Sequence, residues 1–363
     1  MIKIKGITKA FQQKTVLCNI DLEVRAGEVF SLLGPNGCGK TTLLNLVSGL
    51  QKPDKGSIHI DGVLVEDSRH VHLPPSERKI GYVFQNAALF PHLKVRENIA
   101  YGLKALHLPK QEISQRTSSL LEFISMTQYG EYYPHQISGG QKQLVALARS
   151  IANDPKVLLL DEPMSAVDAK FKETLRHQFK GLLEKLGITA VYVTHDLTEA
   201  LVMSNRVAML GNGWVEQVGC RDEILGHPKS RYVAEFLGLN VYTAQVVEGE
   251  YKLCIKGTVI SVPYWVDLTQ KQVLVTLKPE DVILSCESAV SNPKWVGCKC
   301  NLLSGVVVEI TLMRTIALVT VDVGFLVRSK LTLSSLGDLG LSEGDAINVL
   351  FKVDAVNVSQ ENQ

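Results

Sequence analysis

The stretch Gly34-Pro35-Asn36-Gly37-Cys38-Gly39-Lys40-Thr41 constrains this chain more than any other. It follows an apolar run, Val29 to Leu33, and precedes the helical pattern of Thr42-Leu43-Leu44-Asn45-Leu46. Glycines there allow a tight loop whose backbone N–H groups converge on phosphate oxygens, and a helix that begins at the loop adds its dipole. Lys40 is then expected on the β and γ phosphates and Thr41 on magnesium. A strand, a phosphate loop and a helix in that order predict an α/β domain with a parallel sheet.

Two further apolar runs read as buried strands, Val157 to Leu160 and Thr189 to Val193. They end on Asp161-Glu162 and on Thr194-His195-Asp196. Ligands of open α/β sheets bind beyond the carboxyl ends of the strands, so these clusters are expected to share one site. Asp161 suits the magnesium shell and Glu162 a general base that polarises water. Ser138-Gly139-Gly140-Gln141 opens the helical Lys142 to Ala152 and presents a second set of N–H groups to an anion. Phe171, Leu175, Phe179, Leu182 and Leu186 recur at helical spacing and predict one buried face.

After Asn240 the pattern changes to alternation, with Ala317, Val319, Val321 and Val323 against Ile316, Leu318, Thr320 and Asp322. Residues 273–284 can be laid over 347–358, matching Lys278 to Lys352 and Val282 to Val356. Two small β units joined through Glu287 to Lys299 are expected. Two domains, 1–239 and 240–363, agree with a length of 363 residues.

Composition narrows the partners. Thirty-eight basic against 37 acidic residues leave a formal charge of +1, which gives no whole-protein field for nucleic acid or anionic lipid. Seven cysteines without a C-x-x-C pair indicate neither a disulfide framework nor a zinc ribbon and favour a reducing compartment; Cys298 and Cys300 are expected as free thiols and Cys38 as a small filler. His70 and His72 lie in a polar segment expected to be an exposed loop rather than a metal site. The N-terminus has no signal-peptide pattern and no apolar run approaches the ~18 residues of a membrane helix, so work at a membrane would need a partner.

Together the phosphate loop, the Ile137 to Gln141 signature and the Asp161-Glu162 strand resemble the ATP-binding subunit of an ABC transporter. The resemblance implies an ABC-type P-loop NTPase fold with ATP and magnesium as cofactors. It adds Phe11 as an adenine platform, Gln85 as the residue coupling the site to a membrane subunit and sharing magnesium with Thr41 and Asp161, Ser165 to Asp168 as the D-loop, and His195 as a γ-phosphate sensor. It further implies a homodimer in which Ser138, Gly139, Gly140 and Gln141 of one copy meet the ATP held by Gly34 to Thr42 of the other, with Glu162, His195, Lys40 and Gln85 carrying hydrolysis. Permease subunits, and through them a substrate-binding protein, are the implied partners, nucleic acid is not, and the location is the cytoplasmic face of the membrane. The family usually carries Arg where this chain has Leu144.

Residues 301–359 are similar to the Mop type of TOBE domain, which implies a small all-β, OB-like regulatory domain. In that family a Thr-x-x-Ser and a Lys hold an oxyanion; the matching residues are Thr332, Ser335 and Lys352, whereas the family's Arg before Asn301 is replaced by Cys300. On this resemblance the expected cargo is molybdate or tungstate, with ferric iron, sulfate, polyamine or sugar import as alternatives. A soluble ABC ATPase of DNA repair or translation and a non-catalytic oxyanion regulator are the readings from other classes.

Overall fold

The computed structural model describes all residues except Ala166, 248–250, 267–268, 287–298 and 361–363. It divides into two compact units, Met1–Ile224 and Leu225–Gln363. The expected boundary at 239 lies later than this division. Residues ahead of it are bound to the second unit, since Arg231 donates to Thr243 Oγ1 and Arg328 donates to the carbonyl of Leu239.

The first unit contains two sheets. One is antiparallel, ordered Lys14–Val24, Ile2–Phe11, Lys55–Ile60, Val63–Asp67, Val71–His72. The other is ordered Trp214–Gly219, Arg206–Gly211, Val29–Leu33, Thr189–Thr194, Val157–Asp161, Ile80–Val83. All its neighbours run parallel except the first pair. The three strands read from the sequence are adjacent, with Leu33 beside Thr194 and Val193 beside Asp161, so their polar ends open on one edge. Every residue of Val157–Asp161 and Thr189–Thr194 is buried, as expected for parallel strands covered on both faces.

Asp168 caps the helix Ala169–Leu186 through the N–H of Lys170, and Gly187 ends it in the left-handed conformation. Leu175, Phe179, Leu182 and Leu183 are buried in the core. Phe171 departs from the expected face and is 60% exposed, at the rim of a cavity beside Asp168.

The phosphate-loop helix, Lys40–Ser48, is tied down at its far end by Arg78, which is 2% exposed. Its guanidinium donates to the carbonyls of Leu46, Val47 and Leu73 and to Glu66 Oε2 at 2.6 Å. His72 Nδ1 lies 2.6 Å from the same oxygen, so His72 belongs to a short strand and a buried polar cluster rather than the exposed loop expected.

The second unit is all-β apart from short helices. One antiparallel sheet is ordered Thr258–Ser261, Lys252–Ile255, Asn240–Val246, Gln272–Leu277, Asn357–Gln360. The other is ordered Ile283–Ser285, Ala346–Lys352, Cys300–Leu312, Ile316–Asp322, Leu326–Thr332. Ala317, Val319 and Val321 face the core as their alternation predicts. The internal repeat is a strand, a 3₁₀ turn and a strand each time: Gln272–Leu277, Pro279–Asp281, Ile283–Ser285 and Ala346–Lys352, Val353–Ala355, Asn357–Gln360. The repeats do not form two separate units. Ile283–Ser285 pairs with Ala346–Lys352 and Asn357–Gln360 pairs with Gln272–Leu277, so each lends its last strand to the other's sheet over one shared core. The expected linker, apart from Lys299, and with it Cys298, lies outside the described residues.

Arg78→Met should destabilise the first unit by about 3–5 kcal/mol, because removing one partner of a buried pair leaves the Glu66 charge behind. Urea unfolding at the parent's midpoint would contradict this account of the helix anchor.

Candidate functional site

The loop from Gly34 to Gly39 is shaped by contacts that exclude side chains. A Cβ on Gly34 would stand 2.4 Å from the Leu210 carbonyl oxygen, and one on Gly39, at φ 104°, would stand 2.6 Å from Leu17 Cδ2. Gly39 brings no capping side chain, so the first N–H groups of helix Lys40–Ser48 stay directed into the loop. Pro35, Asn36 and Gly37 form the exposed crown; Cys38 is buried beneath it, and burial raises its thiol pKa, in keeping with a filler. Thr42 continues the helix. Lys40, 5% exposed, turns its ammonium onto the carbonyls of Gly34 and Pro35 at 2.7 and 2.9 Å. These are contacts an anion in the loop would compete for.

Around that ammonium stand the other strand ends. Glu162 Oε1 is 3.9 Å from Lys40 Nζ, and Glu162 Oε2 is 3.2 Å from His195 Nδ1 and 3.4 Å from the Gln85 amide nitrogen. Glu162 holds φ 43°, a conformation costly for a side-chain-bearing residue. It is fixed by its own N–H on Val193 O and by Ser165, whose N–H and hydroxyl both donate to Glu162 O. Thr41 Oγ1 donates to Asp161 Oδ1 at 3.0 Å, placing a hydroxyl and a carboxylate together, an oxygen set that suits a hard divalent cation. Gln85 lines a cavity of about 490 Å³ with Phe84, Asn86, Asp161 and Ser165. Lys40, Thr41, Gln85, Asp161, Glu162 and His195 are thus brought together.

Several supports of this site escaped the sequence reading. Tyr82 directs its hydroxyl to Asp161 Oδ2 at 3.4 Å and to Asn45 Oδ1 at 3.2 Å. Gln143 donates to the Gln85 carbonyl, and Arg149 to those of Ala87 and Ala88. Leu144, in place of the family's Arg, is buried in the core, while Gln143 and Arg149 from the same helix hold the segment after Phe84. The aromatic alternation of Tyr82 and Phe84 was the available signal for the first of these.

Ser138, Gly139, Gly140 and Gln141 form a second group, lining a cavity of about 710 Å³ with Asp168 and Phe171. Ser138 caps its own helix, accepting from Gln141 N while Gln141 Oε1 accepts from Ser138 N. Phe11 ends its strand 43% exposed with the Lys9 ammonium 5.3 Å from its ring centre, an open aromatic face. In the second unit, Thr332 Oγ1 accepts from Ser335 N and contacts Ser335 Oγ at 2.8 Å, which is the cap of helix Leu333–Leu339. Lys352 ends a different strand and bonds to neither hydroxyl. Thr332 thus serves as a helix cap, as Ser138 does in the first unit.

With this geometry in view, residues 17–165 match the ABC transporter family. The spermidine/putrescine import ATP-binding protein PotA of Nitratidesulfovibrio vulgaris is 43% identical over 288 residues, 78% of this chain and 77% of that one. The chain belongs to the ABC transporter ATP-binding subunits. PotA of Thermotoga maritima is 40% identical, covering 90% of this chain and 88% of its own, and the putrescine transport ATP-binding protein PotG of Escherichia coli is 37% identical, covering 98% and 94%. A solved ATP-binding cassette, a dimer in a post-hydrolysis state with ADP and phosphate, superposes with TM-score 0.54 at 34% identity over 61% of this chain and 98% of that one. The protein is accordingly an ABC ATPase that uses ATP and magnesium. These relatives are named for polyamines, one of the alternative cargoes, and not for the expected molybdate or tungstate.

Burial raises the Asp161 carboxyl pKa above its ordinary 3.8, and the neighbouring Glu162 adds to the effect against the opposing hydrogen bonds of Thr41 and Tyr82. Ionised Asp161 therefore costs folding energy; the cost is absent below the ordinary value and complete above the raised one. Asp161→Asn should make the nucleotide-free protein more resistant to heat at pH 7, with the gap narrowing as pH falls toward 4. The same change should weaken ATP binding in magnesium but not in EDTA. A variant no more heat-resistant than the parent at pH 7 would refute the assignment of buried charge.

Proposed function

We propose that the protein is the ATP-hydrolysing subunit of a polyamine importer, acting as a homodimer bound to permease subunits at the cytoplasmic face of the membrane. The observation that carries the reading is Glu162, held between Lys40, Gln85 and His195 at one sheet edge, in a chain whose relatives over most of its length are polyamine-import ATPases. No described helix is long and apolar enough to cross a membrane, so a role in import calls for membrane partners.

Hydrolysis follows from the groups in place. The ammonium of Lys40 leaves the carbonyls of Gly34 and Pro35 for the β and γ phosphates, joined by the N–H groups of residues 37–42. Thr41, Asp161 and Gln85 would hold magnesium, which neutralises phosphate charge. Glu162 accepts a proton from the attacking water, with Gln85 and His195 fixing its carboxylate and His195 reaching the γ phosphate. Phe11 offers its face to adenine. Ser138 and Gly140 of the second copy complete the γ-phosphate shell, for which Ser138 exchanges its capping bond for the phosphate, and Asp168 stands beside them at the start of its helix. Electrostatic complementarity to the phosphates supplies the larger part of the rate enhancement.

Glu162→Gln should slow ATP hydrolysis by ~100-fold or more, the usual contribution of a general base, while ATP remains bound. Sedimentation of that variant with ATP and magnesium should give a dimer; a monomer at all concentrations would count against the shared site. Loss of the gene should abolish uptake of labelled spermidine or putrescine and leave molybdate uptake intact; the reverse pattern would restore the oxyanion reading.

A further inference from the structure

His195 stands on the catalytic edge because of a carboxylate behind it. Glu199, in the first turn of helix Leu197–Met203, is 3% exposed. Its Oε2 accepts from Thr194 Oγ1 at 2.9 Å and from Tyr192 OH at 3.2 Å. The same Thr194 oxygen accepts the N–H of Asp196 at 3.0 Å, and Asp196 Oδ1 accepts the N–H of Glu199 at 3.0 Å. Glu199, Thr194 and Asp196 close a ring of hydrogen bonds around the single residue His195.

The ring is attached to a second element. Lys172 Nζ is 3.9 Å from Glu199 Oε1 and comes from Ala169–Leu186, the helix that Asp168 caps. One turn on, Arg176 has a buried Nε without a hydrogen-bond partner, and its charge opposes the rise that burial and Glu199 impose on the Tyr192 hydroxyl pKa. Burying a carboxylate among two neutral donors with a cation 3.9 Å away is costly. What the carboxylate adds is the ring and the link to Lys172.

We propose that Glu199 is a positioning residue for hydrolysis. Through Thr194 and Asp196 it sets where the His195 ring stands against Glu162, and through Lys172 it ties that setting to the helix that follows Asp168. The inference rests on the reading of Glu162 and His195 as hydrolytic groups. Neither Glu199 nor Thr194 bonds to the phosphate loop, so displacement of His195 should appear in kcat and leave nucleotide binding alone.

The test is steady-state ATP hydrolysis by the full chain with Thr194→Val, Glu199→Ala, their double variant, Glu199→Gln and Glu162→Gln. Thr194→Val keeps the shape of the side chain and removes only the shared hydroxyl. Small misplacements of a catalytic group cost up to ~100-fold, so each of the first two should lose about tenfold in kcat with KM for ATP within about twofold of the parent. The double variant should lose no more than the worse single one, as expected of residues acting as a unit, and Glu199→Gln, which still accepts from Thr194, should recover most of the kcat lost in Glu199→Ala. Parent-like kcat in Thr194→Val, multiplied losses in the double variant, or a KM that rises as kcat falls would each overturn the positioning role. Should Glu162→Gln keep the parent's kcat, the hydrolytic reading itself falls; should it lose activity while Thr194→Val does not, only the inference about Glu199 falls.

Discussion

Two neighbouring carboxylates, Asp161 and Glu162, share one ammonium at the end of a fully buried strand. Lys40 lies 3.9 Å from Glu162 and spends its short hydrogen bonds on carbonyls, so the negative charge of the pair is undercompensated. The other hydrogen-bond partners of the pair are the hydroxyls of Thr41 and Tyr82, the amide of Gln85 and the ring of His195. A site in this condition favours cations, and a divalent ion that accompanies the phosphates offsets the like charge. The raised pKa of Asp161 records the imbalance. Stability and chemistry are therefore opposed at Asp161, and replacing it trades one for the other.

The sheet makes that opposition possible. Five strands of the sheet run parallel, and the three that end at Leu33, Asp161 and Thr194 deliver their carboxyl ends side by side. The phosphate-loop helix is fixed at one end by the crowding at Gly34 and Gly39 and at the other by Arg78 beneath Leu46 and Val47. Lys40 is consequently the movable part of a rigid frame. Its ammonium can swing from carbonyl to phosphate without any rearrangement of the backbone that carries it.

Three of the catalytic strands were legible because a parallel strand buried on both faces is written as a continuous apolar run, and the run stops where the chemistry begins. Tyr82, Arg78 and Glu199 were not legible, since their partners are set by register between segments far apart in the chain. Glu199 did leave a trace in its spacing from Asp196, a capping pattern at the start of a helix. Phe171 shows the converse limit: periodicity identified its side of the helix but not that the first turn is left exposed. In the second unit, the Thr-x-x-Ser of residues 332–335 supplies a helix cap, a use its spacing shares with the oxyanion pattern.

The exchange of strands between the two repeats bears on how the protein is made. The sheet that begins at residue 240 receives its edge strand from residues 357–360, so more than a hundred residues must leave the ribosome before its first half is complete. Pairings so distant in sequence form late and slowly. The ATPase unit, whose pairings close by residue 219, can be folded and occupied by nucleotide while its companion still exposes the edge of Gln272–Leu277. During that interval the nascent chain is most exposed to aggregation and to pairing with the corresponding strand of another copy.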